Sequence, residues 1–105
     1  MKNVDYTGIY SLILPLANLP VRGTTRLAKF ISGLILPKPD NNGVIIKTIH
    51  GFHLWVDPVK DKGVERSLFC LGTYEQGTLH LMDEILSPGD LFIDIGANIG
   101  LMSIY

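Results

Sequence analysis

LFIDIGANIG, residues Leu91 to Gly100, is the stretch on which the fold of this 105-residue chain turns. Leu91, Phe92 and Ile93 form an unbroken apolar run, the pattern of a short strand buried on both faces of a parallel sheet rather than of a half-exposed one. Asp94 falls at the carboxyl end of that strand. Gly96 and Gly100 bracket a turn, where a missing Cβ permits positive φ or a close approach of backbone to ligand. Asn98 is placed to cap a helix that begins with Ile99 and runs on through Leu101, Met102 and Ile104. The free amides and positive dipole end of such a helix favour an anionic group such as a carboxylate. Ligands in open α/β sheets bind beyond the carboxyl ends of strands, so strand, turn and helix together predict an α/β fold with a small polar ligand at this turn. The motif lies five residues from the last one, Tyr105, and a sheet needs further strands, so the chain is expected to open a larger domain.

Spacing separates the two cofactor classes that use such a turn. A dinucleotide fingerprint requires glycine at the first, third and sixth positions; here these are Gly96, Asn98 and Leu101, so two of the three fail. A dinucleotide-binding oxidoreductase fragment therefore stays a minor alternative. S-adenosylmethionine needs no pyrophosphate cradle, and the class I methyltransferase pattern of acid-x-Gly-x-Gly-x-Gly tolerates replacement of its middle glycine. Asn98 is that replacement.

The residues before the loop extend the pattern. Between Gly63 and Tyr105 stand, in order, Glu65-Arg66, a Gly72/Tyr74/Glu75 box, a Pro88-Gly89-Asp90 turn and Asp94/Gly96/Ala97/Asn98/Gly100. This ordered set resembles the opening of an FkbM-type methyltransferase domain and covers about forty of the 105 residues. The resemblance implies the N-terminal part of a class I, Rossmann-like methyltransferase domain, with a helical arm and a β-hairpin before the first parallel strand. It further implies S-adenosylmethionine as cofactor and methyl transfer to a hydroxyl of a saccharide or other small-molecule acceptor. On that reading Asp94 supplies negative charge near the cationic end of the cofactor, while Gly96 and Ala97 let main-chain groups reach its methionine part. Asn98 and Gly100 shape the helix start, and Glu75 pairs with the cofactor's ammonium beside Tyr74. The competing roles for the last two are ordinary ones: a glutamate favoured by the helix dipole and a half-buried packing tyrosine. Glu65 and Arg66 read as a fold-holding ion pair in preference to substrate contacts. The acid that grips the ribose, the acceptor pocket and any general base are expected beyond Tyr105. The isolated chain is accordingly expected to be inactive, and a non-catalytic fragment or interaction module of methyltransferase ancestry is the alternative, since an unpaired apolar strand is an aggregation liability.

Length and composition agree with a soluble fragment rather than a finished enzyme. With 47% hydrophobic residues and a net charge of −1, the chain is neither disordered in composition nor a nucleic-acid binder as a whole. One cysteine, Cys70, excludes an internal disulfide and suits a reducing cytoplasm; it lies in an apolar run and reads as a buried, inert thiol. The apolar residues Ile9 to Leu19 are interrupted by Pro15 and fall short of the roughly 20 residues of a bilayer span. Charge is uneven: residues 1 to 38 hold five of the nine basic residues and one of the ten acidic ones. Such a basic, apolar segment suits a membrane surface, but Arg22, Arg26 and Lys29 read more simply as the solvated side of an ordinary docked helix.

Two regions are predicted, a helical arm with its linker over 1–42 and, over 43–105, a hairpin, helices and the first strand-turn-helix. Thr24 or Thr25 caps a helix whose inward face is Leu27, Phe30, Ile31 and Leu34, ended by Pro37. A loop follows over 37–43. Val44–Ile49 and Phe52–Asp57 form a hairpin joined by His50-Gly51. Asp61 caps a helix that Gly72 stops. Thr73 to Gln76 fits a capping box for a helix with Leu79, Met82, Ile85 and Leu86 on one face, after which Ser87-Pro88-Gly89 turns the chain. Trp55 reads as hairpin core or a docking platform. The three histidines, His50, His53 and His80, lack metal-site spacing.

Overall fold

Alternating side chains between Val44 and Val56 produce a hairpin. In the computed structural model, which describes residues 3–39 and 42–105, β2 (Val44–Lys47) and β3 (His53–Val56) pair antiparallel with Val44 opposite Val56 and Ile46 opposite Leu54. These four side chains share one face and are buried, because residues two apart on a pleated strand point the same way. The connection is longer than predicted: the strands end at Lys47 and begin again at His53. Thr48 closes it, its amide and hydroxyl donating to the Phe52 carbonyl while Gly51 takes φ +96°. A two-residue strand, β1 (Asn3–Val4), adds to β2 in parallel, giving a mixed sheet in the order β1-β2-β3. The molecule is thus a small mixed α/β protein.

Three helices accompany this sheet, α1 (Thr7–Ala17), α2 (Thr24–Ile35) and α3 (Val64–Leu71). Pro15 lies inside α1, which continues past it to Ala17. The last carbonyls of a helix lack intrahelical partners, and those of α3 tie the unit together. Tyr10 of α1 donates its hydroxyl to the Phe69 carbonyl at 2.7 Å, and Ser32 of α2 donates to the Cys70 carbonyl at 2.6 Å. The Ile49 amide of the hairpin loop donates to the Gly72 carbonyl. Gly72 ends α3 as expected, in the left-handed conformation with φ +72°, and a Cβ there would stand 2.3 Å from the Tyr10 ring. Burial pushes the Tyr10 phenol upward from its ordinary pKa, as it does the Cys70 thiol.

Helix α2 corrects the sequence reading. Its buried side chains are Ala28 and Ser32, whereas Leu27, Phe30 and Leu34, expected inward, are exposed. Two small residues one turn apart let backbones approach closely, and the Ser32 hydrogen bond fixes the rotation. Neither threonine caps it: Gly23 holds the N-cap position, and the Thr24 hydroxyl donates back to the carbonyls of Ala17 and Val21. The loop predicted over 37–43 lies partly outside the described residues.

By its internal contacts the chain divides into two units, 1–74 and 75–105. The second contains α4 (Gln76–Ile85) and the one-turn α5 (Leu101–Ile104). The turn at Pro88-Gly89 forms as read: Gly89 has φ +92°, the Asp90 amide donates to the Ser87 carbonyl, and the Asp90 carboxylate accepts from the Ser87 amide. The Leu91–Ile93 strand does not form. Leu91, Ile93 and Ile95 are 86%, 70% and 92% exposed, and the segment pairs with no described strand. A strand exists only where its backbone groups meet those of a neighbour, so apolar composition alone leaves this run open.

Candidate functional site

The glycine-rich loop is built by its backbone. Gly96, Asn98 and Gly100 all take positive φ, at +70°, +55° and +80°, so the chain reverses curvature three times within five residues. Left-handed backbone is inexpensive for glycine and more tolerable for asparagine than for most residues. The Gly100 amide closes a turn on the Ala97 carbonyl at 2.9 Å. A Cβ on Gly96 or Gly100 would meet nothing within 4 Å, so the loop faces open space. Asp94 enters this turn with its carboxylate held by the Ser103 hydroxyl at 2.8 Å. That bond fixes the acid against the helix that follows and leaves its second oxygen for another donor.

The helix start differs from the prediction. Asn98 is not its cap and Ile99 not its first residue; α5 begins at Leu101 with Gly100 in the N-cap position and no side-chain cap. Asparagine in the left-handed region turns the chain instead of receiving the helix amides. Four residues make a single turn, so the dipole at this end is small. Tyr105 donates its hydroxyl to the Asp83 carboxylate of α4, which anchors the turn within its unit.

The capping box predicted at Thr73 to Gln76 also fails to form. Glu75 itself is the N-cap of α4, with φ +51° and no side-chain cap bond. Thr73 is buried and its hydroxyl is bonded to His50 Nε2 at 2.9 Å, so it is not free to cap. Glu75 is exposed and shares a unit with the loop, while Tyr74, partly buried, closes the other. Glu65 and Arg66 form no ion pair with each other. The Glu65 carboxylate accepts from the Asp57 amide at 3.2 Å, and Arg66 Nε donates to the Pro58 carbonyl at 3.0 Å. Both brace the turn from β3 to α3, where Asp57 accepts from the amides of Val59 and Lys60. Desolvation holds the Glu65 carboxyl above its ordinary pKa.

A second concavity was not anticipated. A groove of about 480 Å³ opens beside α2, with Phe30, Leu34, Leu36 and Phe69 as apolar walls and Lys29, Lys38 and Arg66 among its lining. Its signal in the sequence is the excess of basic residues in the first 38 positions. Among the described residues no cluster of three His, Cys, Asp or Glu side chains could hold a metal ion, and no helix is long and apolar enough to cross a membrane. His50 bonds Thr73, and His80 pairs with Glu84 one turn along α4. In comparison with known proteins, no family model, no curated protein and no solved structure matches the chain.

Proposed function

We propose that the chain carries the cofactor-binding turn of a class I methyltransferase. Within that class the reading is an FkbM-type, S-adenosylmethionine-dependent enzyme of Rossmann-like fold that methylates a hydroxyl of a saccharide or small metabolite. One observation carries it: three left-handed residues, Gly96, Asn98 and Gly100, begin two positions after a carboxylate, Asp94, that Ser103 holds in place. That backbone suits a loop which wraps the small cationic end of a ligand, and its open surround leaves room for one.

When bound, the cofactor supplies an electrophilic methyl on a positively charged sulfur. The chain's own part is binding and orientation. Asp94 places negative charge beside the ammonium and sulfonium end, Gly96 and Ala97 expose main-chain groups to the methionine part, and Asn98 and Gly100 set the path of the turn. Glu75 is the second acid for the ammonium. A reducing cytoplasmic setting belongs to the same reading, supported by the single, buried Cys70.

Ligand-observed NMR on the 105-residue chain tests this, with S-adenosylhomocysteine and a nicotinamide dinucleotide as probes. Weak binding of the first, on the order of millimolar Kd or about −4 kcal/mol, is expected, lost in Asp94→Ala and not displaced by the second. Absence of that binding, or preference for the dinucleotide, overturns the proposal. Methyl transfer by this chain alone is expected to be undetectable, because the run before the loop pairs with no described strand. A second reading, a non-catalytic interaction module of methyltransferase ancestry, is favoured by the exposure of Leu91, Ile93 and Ile95; it predicts no cofactor binding at all.

A further inference from the structure

Helix α2 is packed through its small residues and exposes its large apolar ones. Ala28 and Ser32 seat it in the fold, and at 100° per residue Leu27, Phe30 and Leu34 fall on the opposite side. Phe30 is 66% and Leu34 71% exposed. Leu19 and Val21, in the connection that leads into the helix, are exposed as well. Large apolar side chains gathered on the exposed aspect of one helix mark a contact with something apolar.

From Leu19 to Lys38 the charges have one sign. Arg22, Arg26, Lys29 and Lys38 accompany the stripe along the chain, and the single acid of residues 1 to 38, Asp5, is engaged with Thr7 and Lys47. The groove joins the two properties in space, since Phe30 and Leu34 line it together with Lys29, Lys38 and Arg66. No Asp or Glu among the described residues lines it. Arg66 donates its Nε to Pro58, which leaves the rest of its guanidinium for an anion.

We propose that this face of α2, with its cationic groove, docks on an anionic lipid bilayer. Leu27, Phe30 and Leu34 enter the boundary between headgroups and acyl chains, while Lys29, Lys38 and Arg66 meet lipid phosphates and carboxylates. An amphipathic helix with basic residues beside an apolar stripe is the arrangement that lies in a membrane interface. It lies there and does not cross: twelve residues rise roughly 18 Å, against about 30 Å of hydrocarbon. A second copy of the same face is a poor occupant, because two-fold pairing sets lysines and arginines against one another. Nucleic acid matches the charge and leaves the apolar stripe in water.

Vesicle flotation of the full chain tests the proposal, with phosphatidylcholine alone and with about a third phosphatidylserine. The chain is expected to float only with the anionic vesicles, and about tenfold less at high salt, because screening removes the phosphate attraction. The doubles Phe30→Ser/Leu34→Ser and Lys29→Glu/Lys38→Glu are each expected to lower binding by about tenfold. All four positions are exposed or partly so, and unchanged far-UV circular dichroism and Tm establish that the variants fold. Ile93→Ser/Ile95→Ser is expected to float like the unmodified chain. Absence of flotation with anionic vesicles overturns the proposal, as does binding that survives both α2 doubles or is abolished by the Ile93/Ile95 pair. A dimer that Phe30→Ser/Leu34→Ser dissociates, in a chain that ignores vesicles, overturns it in favour of self-association.

Discussion

Val44-Ile45-Ile46 and Leu91-Phe92-Ile93 are both unbroken apolar runs, and the fold treats them in opposite ways. The first lies between two partners, β1 and β3, with Ile46 fully buried; the second pairs with no described strand and exposes Leu91 and Ile93. Composition therefore does not decide which run becomes a strand. What decides is whether another segment can accept and donate its backbone hydrogen bonds, and for β2 the nearest candidate is six residues away across the Thr48–Gly51 turn. For the later run no such neighbour lies close in sequence, since α4 precedes it and α5 follows.

The largest test of this contrast falls on Gly72, where α3 ends against the elements of the first unit. Gly72→Ala sets a Cβ into the Tyr10 ring and strains a left-handed backbone, so a loss of about 3 kcal/mol or more is expected. Urea unfolding followed by circular dichroism measures it, and a change below about 1 kcal/mol would show that Tyr10 can move away. Next comes the direct comparison. Ile46→Ala is expected to cost about 2 to 5 kcal/mol, and Ile93→Ala to stay within about 0.5 kcal/mol. Equal costs at the two positions would mean that the later run is buried in solution and the contrast is false.

How far these features were legible in the sequence follows from the same distinction. The hairpin and the Gly72 stop were readable because each rests on local chemistry, alternation around a glycine turn and a helix ending in a left-handed residue. The inward face of α2 was not, since hydrophobic periodicity points to Leu27, Phe30 and Leu34, while packing selected Ala28 and Ser32, small residues whose hydropathy signal is weak beside that of leucine and phenylalanine. The partners of Tyr10 and Ser32 are carbonyls 59 and 38 residues away, and no spacing rule reaches so far. At the loop, the left-handed glycines were legible and the helix start was not. Asn98 has the chemistry of both a cap and a left-handed turn residue, and only the path of the backbone distinguishes them.

Tyr10→Phe sharpens the comparison at smaller scale. It keeps the ring and removes the hydroxyl, leaving the buried Phe69 carbonyl without that donor. A loss of about 1 to 2 kcal/mol is expected, with hydrogen exchange quickened at the end of α3 and unaltered in residues 91–95. An unchanged unfolding midpoint would mean that water replaces the hydroxyl, and that α3 is held by its side chains alone.

The smallest effect is expected at Glu65, and its sign depends on pH. Desolvation raises this carboxyl above its ordinary 4.5, partly offset by the Asp57 amide, so its charged form is less comfortable folded than unfolded. A group with a raised folded pKa contributes stability that is fully present below the unfolded value and lost as pH rises through the folded one. Glu65→Gln keeps an oxygen for the Asp57 amide and removes the titration. The variant is expected to be slightly the more stable of the two at neutral pH, with its advantage shrinking through the acid range and gone below the ordinary carboxyl pKa. Urea midpoints measured across that range read the difference directly. The opposite slope would show that the hydrogen bond from Asp57, rather than desolvation, governs this carboxylate, and that the turn leading into α3 is built around a charge.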